Sequence, residues 1–254
     1  MPTTNLLYNK RLMVPADVDK NIHWDSRALL SLLTCEMNFK LPLNYFKRWQ
    51  EGINEQIRAE TAAWLFDVCN EEVCDPVVFP LAISFMDRVI RTKFILRKNL
   101  QALASACLFL ATKVKAPSPI SAEKIVYFTD GGIKIEELLE WEMIILNHLD
   151  WKLFQPTAFE FYDIMKTRTP VLEHFRKDFI SSIQKIQFKQ SLATLLPSWQ
   201  AGACLLYLAT RTKNLQLIRD TKHTIRHLIQ IEPDDLLDIS RRINCCITLQ
   251  TFVK

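Results

Sequence analysis

The residues of this chain that could do chemistry are mostly charged pairs, not nucleophiles. Glu142 has Leu138, Leu139, Ile145 and Leu146 three and four positions away, so on a helical period a carboxylate lies on an apolar stripe. Burying a lone charge is costly, so this carboxylate needs a cation nearby. Lys113 closes another apolar helical stretch, where a lysine suits the C-terminal end of the helix and can reach beyond its own bundle. From spacing alone, Lys113 and Glu142 read either as an ion pair or separate surface charges, which is the ordinary case, or as a partner-binding site. Asp87 in FPLAISFMDRVI and Arg58 in NEQIRAETAAWLF suit a bidentate ion pair between two helices, a structural role.

For catalysis and metal binding the yield is poor. No HExxH, GxSxG or HRD-type string occurs. His223 and His227 have i,i+4 spacing, but two ligands do not make a zinc site, and Cys245 and Cys246 lack CxxC spacing. Cys69 and Cys74 read as packing at a helix end, and Gly131-Gly132 as a turn. No metal and no cofactor is expected.

The elements that must position these residues are helical. Asp75-Pro76, Thr169-Pro170 and Glu232-Pro233-Asp234-Asp235 have the form of helix starts, and Thr157 and Glu160 have capping-box spacing. Apolar patterns of helical period predict helices near 26–38, 54–73, 76–92, 98–114, 121–128 and 134–149. A second set follows near 157–167, 171–190, 198–211, 215–230 and 233–247. No segment shows strand alternation between hairpin turns, so the fold class is all-α.

Composition agrees. Of 254 residues, 49% are hydrophobic and 24% charged, the balance of a globular chain. Only 4 are glycine, where average usage would give roughly 18. Phosphate-cradling loops and dinucleotide folds need glycine at fixed places, so both are disfavoured. The net charge of +4 is mild, and its surplus lies beyond residue 152, without the dense basic stripe of a nucleic-acid binder. No nucleic-acid partner and no membrane partner is expected. The apolar runs are too short to span a bilayer, the N-terminus lacks the apolar core of a secretory signal, and the seven cysteines lie mostly in apolar stretches. An intracellular, reducing location is expected.

An internal repeat organises the chain. ASACLFLATK (104–113) and GACLLYLATR (202–211) align at an offset of 98 residues, matching Leu108, Leu110, Ala111 and Thr112 to Leu206, Leu208, Ala209 and Thr210. Both are apolar on all sides, as buried helices are. Each half therefore reads as a bundle around one central helix. The expected division is an irregular lead-in over 1–24, an N-terminal helix and first bundle over 25–153, and a second bundle over 154–254.

Taken in order, the motifs resemble the cyclin family, its D-type branch most of all. The features are Trp64-x4-Cys69, VFPLA followed by Asp87-Arg88, ASACLFLATK, the Thr129-Asp130 turn, and Glu142-x-x-Ile145-Leu146-x-x-Leu149-x-Trp151. The resemblance covers some 220 residues, strongest over about 30 to 153. It implies two tandem five-helix cyclin boxes with an N-terminal helix. It also implies a non-enzymatic subunit that binds a cyclin-dependent kinase as a heterodimer and moves the kinase C-helix and activation loop into the active arrangement. The family's kinase-contacting lysine and glutamate fall on Lys113 and Glu142, which now favours the partner-binding reading. Phe154, with Phe39, Tyr45 and Phe46, is placed as a weaker contributor. Arg58 and Asp87 match the family's internal pair. The docking patch for Arg-x-Leu motifs of substrates or inhibitors falls on Ile57, Arg58, Thr61, Trp64 and Gln101.

Three departures qualify the resemblance. The docking pattern M-R-x-I-L/V is here Ile57-Arg58-Ala59-Glu60-Thr61, which predicts weakened or altered substrate docking. The retinoblastoma-binding LxCxE of D-type members is absent, since Leu33-Thr34-Cys35-Glu36-Met37 has its glutamate one position early. The sequence stops at Lys254 after the second box, so the degradation tail is expected to be missing, as in a virus-encoded D-type cyclin or a trimmed cellular one. Retinoblastoma-family proteins are the implied substrates, and the nucleus and cytoplasm, or a host nucleus, the implied location. A cyclin-fold transcription or adaptor module is the alternative; it would predict an upstream zinc ribbon and a basic DNA surface, and residues 1–24 hold no cysteine.

Overall fold

A computed structural model describes residues 19–41 and 52–251, and among these the regular structure is all helical. Two short N-terminal helices, α1 (Lys20–Trp24) and α2 (Ser26–Met37), precede a five-helix unit. That unit comprises α3 (Glu55–Glu71), α4 (Val78–Thr92), α5 (Leu100–Lys115), α6 (Ala122–Tyr127) and α7 (Ile135–His148). A second unit follows with α8 (Ala158–Arg168), α9 (Arg176–Ile186), the single turn α10 (Gln190–Ala193), α11 (Pro197–Arg211), α12 (Leu215–Ile229) and α13 (Pro233–Thr251). No helix among the described residues is long and apolar enough to cross a membrane.

Polar side chains set the helix starts. Asn54 accepts the Ile57 N–H at the start of α3, and Ser121 and Asn214 cap α6 and α12 in the same way. Thr157 and Glu160 form a capping box at α8. Glu160 is shared: its other carboxylate oxygen accepts from Lys115 Nζ at 2.7 Å, tying the end of α5 to the start of α8.

The two repeat segments become the central helices. In α5 every residue from Ala102 to Thr112 is buried, and in α11 every residue from Gln200 to Ala209. The two hydrophobic cores are built around them. Burying a leucine or phenylalanine fully is worth about 1.5–3 kcal/mol, so the stability of each unit resides in these contacts. Small residues admit the neighbours. A Cβ on Gly202 would lie 2.9 Å from Ile229 Cδ1 and 3.0 Å from Ile225 Cγ2, so glycine there lets α12 lie close to α11.

Two segments differ from the sequence expectation. Residues 20–24 form α1 inside the expected irregular lead-in; Asp19 caps it, and His23 Nδ1 lies 3.1 Å from Thr167 Oγ1 of α8. Five residues are too few for periodicity to reveal. The helix expected over 171–190 is divided into a 3-10 segment at Pro170–Phe175, then α9 and α10. The break after α9 has a cause: the Gln187 carbonyl accepts from Arg58 Nη1 at 2.7 Å, and the Gln187 side chain donates to the Ile183 carbonyl and to Gln200.

That break joins the two units. Arg58 is fully buried and forks onto Asp87, Nε to Oδ1 at 2.8 Å and Nη2 to Oδ2 at 2.7 Å, while its third arm holds Gln187. Phe188 packs between Phe66 and Phe79, with ring centroids 5.6 and 5.7 Å away. Lys189 pairs with Glu55 at 3.0 Å. Three consecutive residues of the second unit thus grip the first. The N-terminal helix is fastened to the second unit by Glu36, whose carboxylate accepts the Ser198 N–H at 2.9 Å and hydroxyl at 2.6 Å at the start of α11.

Removing one partner of a buried pair strands the other charge. Arg58→Ala is expected to lower the unfolding free energy by about 3–5 kcal/mol, and the double change Arg58→Met with Asp87→Leu by clearly less. Denaturant titration of both variants checks this. For Glu36, burial raises the carboxyl above its ordinary 4.5, against the lowering by the two Ser198 bonds. The folded chain then holds its proton more tightly than the unfolded one, so this stabilisation is complete below the ordinary value and is lost as pH rises above it. Wild type should lose stability relative to Glu36→Gln as the pH rises above 4.5; a constant difference would contradict the assignment. Glu36→Ala should cost about 1–3 kcal/mol at neutral pH by orphaning the Ser198 N–H.

Candidate partner-binding site

Lys113, in the last turn of α5, and Glu142, in the middle of α7, come together with Nζ 2.7 Å from Oε1. Glu142 is almost buried and Lys113 is 42% exposed, so the pair has one face to solvent. The ammonium also stands 3.9 Å from the centre of the Phe109 ring, which adds a cation–π contact. Leu138, Ile145 and Leu146 are buried as the apolar stripe requires, but Leu139 is exposed, and so is Met143. Glu142 therefore marks the border between the core face of α7 and an exposed apolar strip. Val114, beside Lys113 in sequence, is exposed too.

The segment after α7 also carries exposed aromatic side chains. Phe154 and Trp151 are both more than half exposed. Asp150 and Trp151 have φ of +51° and +59°, a left-handed conformation uncommon for residues with side chains. Phe39 is half-buried and lies under the Arg88 guanidinium at 4.6 Å. Phe39, Arg88, Arg91, His148, Trp151 and Phe154 line one cleft of about 600 Å³. Burial and the neighbouring Arg91 push Arg88 down to about 10, which leaves it charged at neutral pH. Burial also lowers His148, whose Nε2 lies 2.5 Å from Thr92 Oγ1. Tyr45 and Phe46 lie outside the described residues.

The second set of residues gathers elsewhere on the first unit. Ile57, Thr61 and Trp64 follow at helical spacing on α3 and are all partly exposed. Trp64 Nε1 donates to the Phe128 carbonyl at 3.3 Å, which fixes the indole against the turn between α6 and α7. Gln101 is exposed at the start of α5 and touches the same turn; a Cβ on Gly132 would meet its Oε1 at 2.5 Å. Arg58 departs from this group. It is fully buried and committed to Asp87 and Gln187, so it frames the patch from beneath and offers no surface to a ligand. The Thr61 hydroxyl donates to the Ile57 carbonyl, and Glu60 accepts from Gln56 at the rim.

Other candidates take simpler roles. Cys69 and Cys74 lie at the end of α3, where their mutual hydrogen bond and burial push the Cys69 thiol up, and no metal-holding cluster occurs among the described residues. Glu36, in the string compared with LxCxE, is buried against Ser198 and is not available to a partner. Met143 and Val114 carry no sequence signal, and Leu139, read from its spacing as part of the apolar stripe beside Glu142, is exposed instead. Periodicity marks them apolar without saying that no neighbour covers them; the one available signal was Trp151 closing the quoted motif.

The family described as cyclin, N-terminal domain, matches residues 27–154. The chain is 36% identical over 231 residues to a G1/S-specific cyclin-D of Caenorhabditis elegans, spanning 91% of this chain and 57% of that protein. It is 38% identical over 153 residues to G1/S-specific cyclin-D2 of Gallus gallus, spanning 60% of this chain and 53% of the relative. With G1/S-specific cyclin-D1 of Danio rerio it shares 36% identity over 235 residues, 89% of this chain and 80% of the relative. The chain thus spans little more than half the length of the worm and chicken relatives. Among solved structures, a viral cyclin from herpesvirus saimiri superposes with a TM-score of 0.72 at 22% identity, covering 87% of this chain and 97% of that one. At that identity the likeness establishes the all-helical cyclin fold alone.

Proposed function

The chain is a D-type-like member of the cyclin family, and from that premise we propose that it is the regulatory subunit of a cyclin-dependent protein kinase. On this reading it has no catalytic activity of its own. It forms a heterodimer with the kinase in the nucleus and cytoplasm and promotes cell-cycle progression, with retinoblastoma-family proteins as substrates.

One observation carries the proposal: a half-exposed ion pair set in an exposed apolar rim. Lys113 satisfies the nearly buried Glu142 carboxylate, and the pair still keeps one face to solvent. Its ammonium keeps donors and its carboxylate keeps acceptor capacity for backbone groups of a partner. Val114, Leu139, Met143, Trp151 and Phe154 supply the apolar anchors that a specific interface needs around such a centre. The partner element is the kinase C-helix, whose glutamate must meet the catalytic-site lysine before phosphoryl transfer proceeds. Binding to the active position of that helix shifts the kinase population toward it.

Lys113→Glu reverses the exposed charge beside a nearly buried carboxylate. Kinase activation, read as phosphate transfer to a retinoblastoma-derived substrate, should fall about thirtyfold or more, the loss of a central interface contact worth about 2–4 kcal/mol. The helical circular dichroism should be unchanged. Collapse of that signal would make the lysine structural, and unchanged activation would refute the assignment.

We assign substrate docking to the groove of Ile57, Trp64 and Gln101, altered by Thr61 and Glu60. Thr61 supplies less apolar floor than leucine would, at roughly 0.8 kcal/mol for each buried methylene lost. An Arg-x-Leu peptide should bind more weakly than to a cyclin with the apolar residue, and Thr61→Leu should tighten it several-fold. Wild-type affinity as high as that of an ordinary cellular cyclin, measured by titration, would contradict this.

A further inference from the structure

The second unit carries a row of cations that no carboxylate pairs with among the described residues. Arg219, Lys222 and Arg226 follow at i, i+3 and i+7 on α12, with His223 and His227 beside them. They stand along one face of the helix over about 10 Å. With Leu206 of α11 and Pro233, Leu236 and Leu237 of α13, these five side chains line a groove of about 580 Å³. No Asp or Glu lines it. Arg219, Lys222 and Arg226 have no ion pair among the described residues, whereas Lys113, Lys115, Lys124 and Lys189 each meet a carboxylate. Like charges at i,i+3 and i,i+4 are unfavourable on an isolated helix, so the row does not serve the fold. The opposite face of α12, through Thr221, Ile225, Leu228 and Ile229, is the one that packs into the core.

The floor differs in character from the wall. Leu206 and Leu236 are buried beneath the groove and Leu237 is partly exposed within it. A nucleic-acid track would place cations along both sides and leave phosphates as the main contacts. Here the cations form one wall, and Leu237 and Pro233 are the apolar residues open to a ligand. The volume suits a few side chains of a peptide. None of the groove residues belongs to the Lys113–Glu142 face or to the patch on α3.

We propose that this groove is a further docking surface, and that its occupant is an acidic amphipathic segment of a partner protein. The partner's apolar side chains lie on Leu237 and Pro233, the partly exposed apolar residues of the groove, and its carboxylates face Arg219, Lys222 and Arg226. This is independent of kinase activation, because the two surfaces share no residue.

The test uses the full chain and three fluorescent probes in anisotropy titrations. One is a helical acidic peptide with leucines at i, i+3, i+4 and i+7 among Asp and Glu. The second has the leucines replaced by serine. The third is a single-stranded DNA oligonucleotide of equal charge. The leucine peptide should bind at least tenfold more tightly than either control. The double change Arg219→Glu with Arg226→Glu should weaken it at least tenfold, and Leu237→Ser several-fold, with helical circular dichroism intact. If the charge reversal unfolds the chain, Leu237→Ser alone decides. Equal binding of the oligonucleotide would make the groove a general polyanion surface and overturn the proposal, as would equal binding of the serine peptide or no binding at all. Kinase activation by the folded variants should stay at the wild-type level, so this result and that of the kinase proposal are read separately.

Discussion

The buried guanidinium of Arg58 is the constraint on which the rest of the molecule depends. A charge in a dry interior must be matched on every side, and Arg58 is matched by Asp87 within its own unit and by the Gln187 carbonyl of the other. That requirement ends α9, exposes the Gln187 carbonyl to an arginine, and sets Phe188 and Lys189 against Phe66, Phe79 and Glu55. Two bundles that could each bury a core alone are thereby held in one relative arrangement. Glu36 and Glu160 repeat the device at smaller scale, each carboxylate serving a helix start in one unit from a contact that ties it to another element.

The binding surfaces are consequences of this frame. The start of α8 is held to the end of α5 through Lys115, two residues beyond Lys113, so the exposed ion pair sits on a fixed base. The left-handed backbone at Asp150 and Trp151 turns the chain between the two units and leaves the indole in solvent. The Lys113–Glu142 face, the patch on α3 and the cationic groove on α12 share no residue.

Much of the fold was legible because its signals are local. The central helices show as stretches apolar on every side, the Thr157–Glu160 box shows as a three-residue spacing, and Arg58 and Asp87 show as opposite charges on neighbouring apolar helices. What escaped was long-range or a matter of coverage. Gln187 as the third partner of Arg58 is 129 residues away in the chain, and no periodicity announces it. Glu36 was compared with a linear motif, whereas its partner is Ser198. Leu139 and Met143 carry the same apolar signature as Leu138 and Ile145, and only the packed structure separates those with a neighbour from those without. Arg58 was assigned to a surface patch by its motif, yet the same motif places it in the core.

The central claim is that the face built around Lys113 and Glu142 is the one a kinase covers. Amide hydrogen exchange of the chain, with and without a cyclin-dependent kinase bound, tests it most directly. The account predicts slowed exchange at the end of α5, on α7 and through residues 150–154, with α12 and the start of α13 unchanged. Protection confined to α12 and α13, with α7 exchanging freely in the complex, would contradict it.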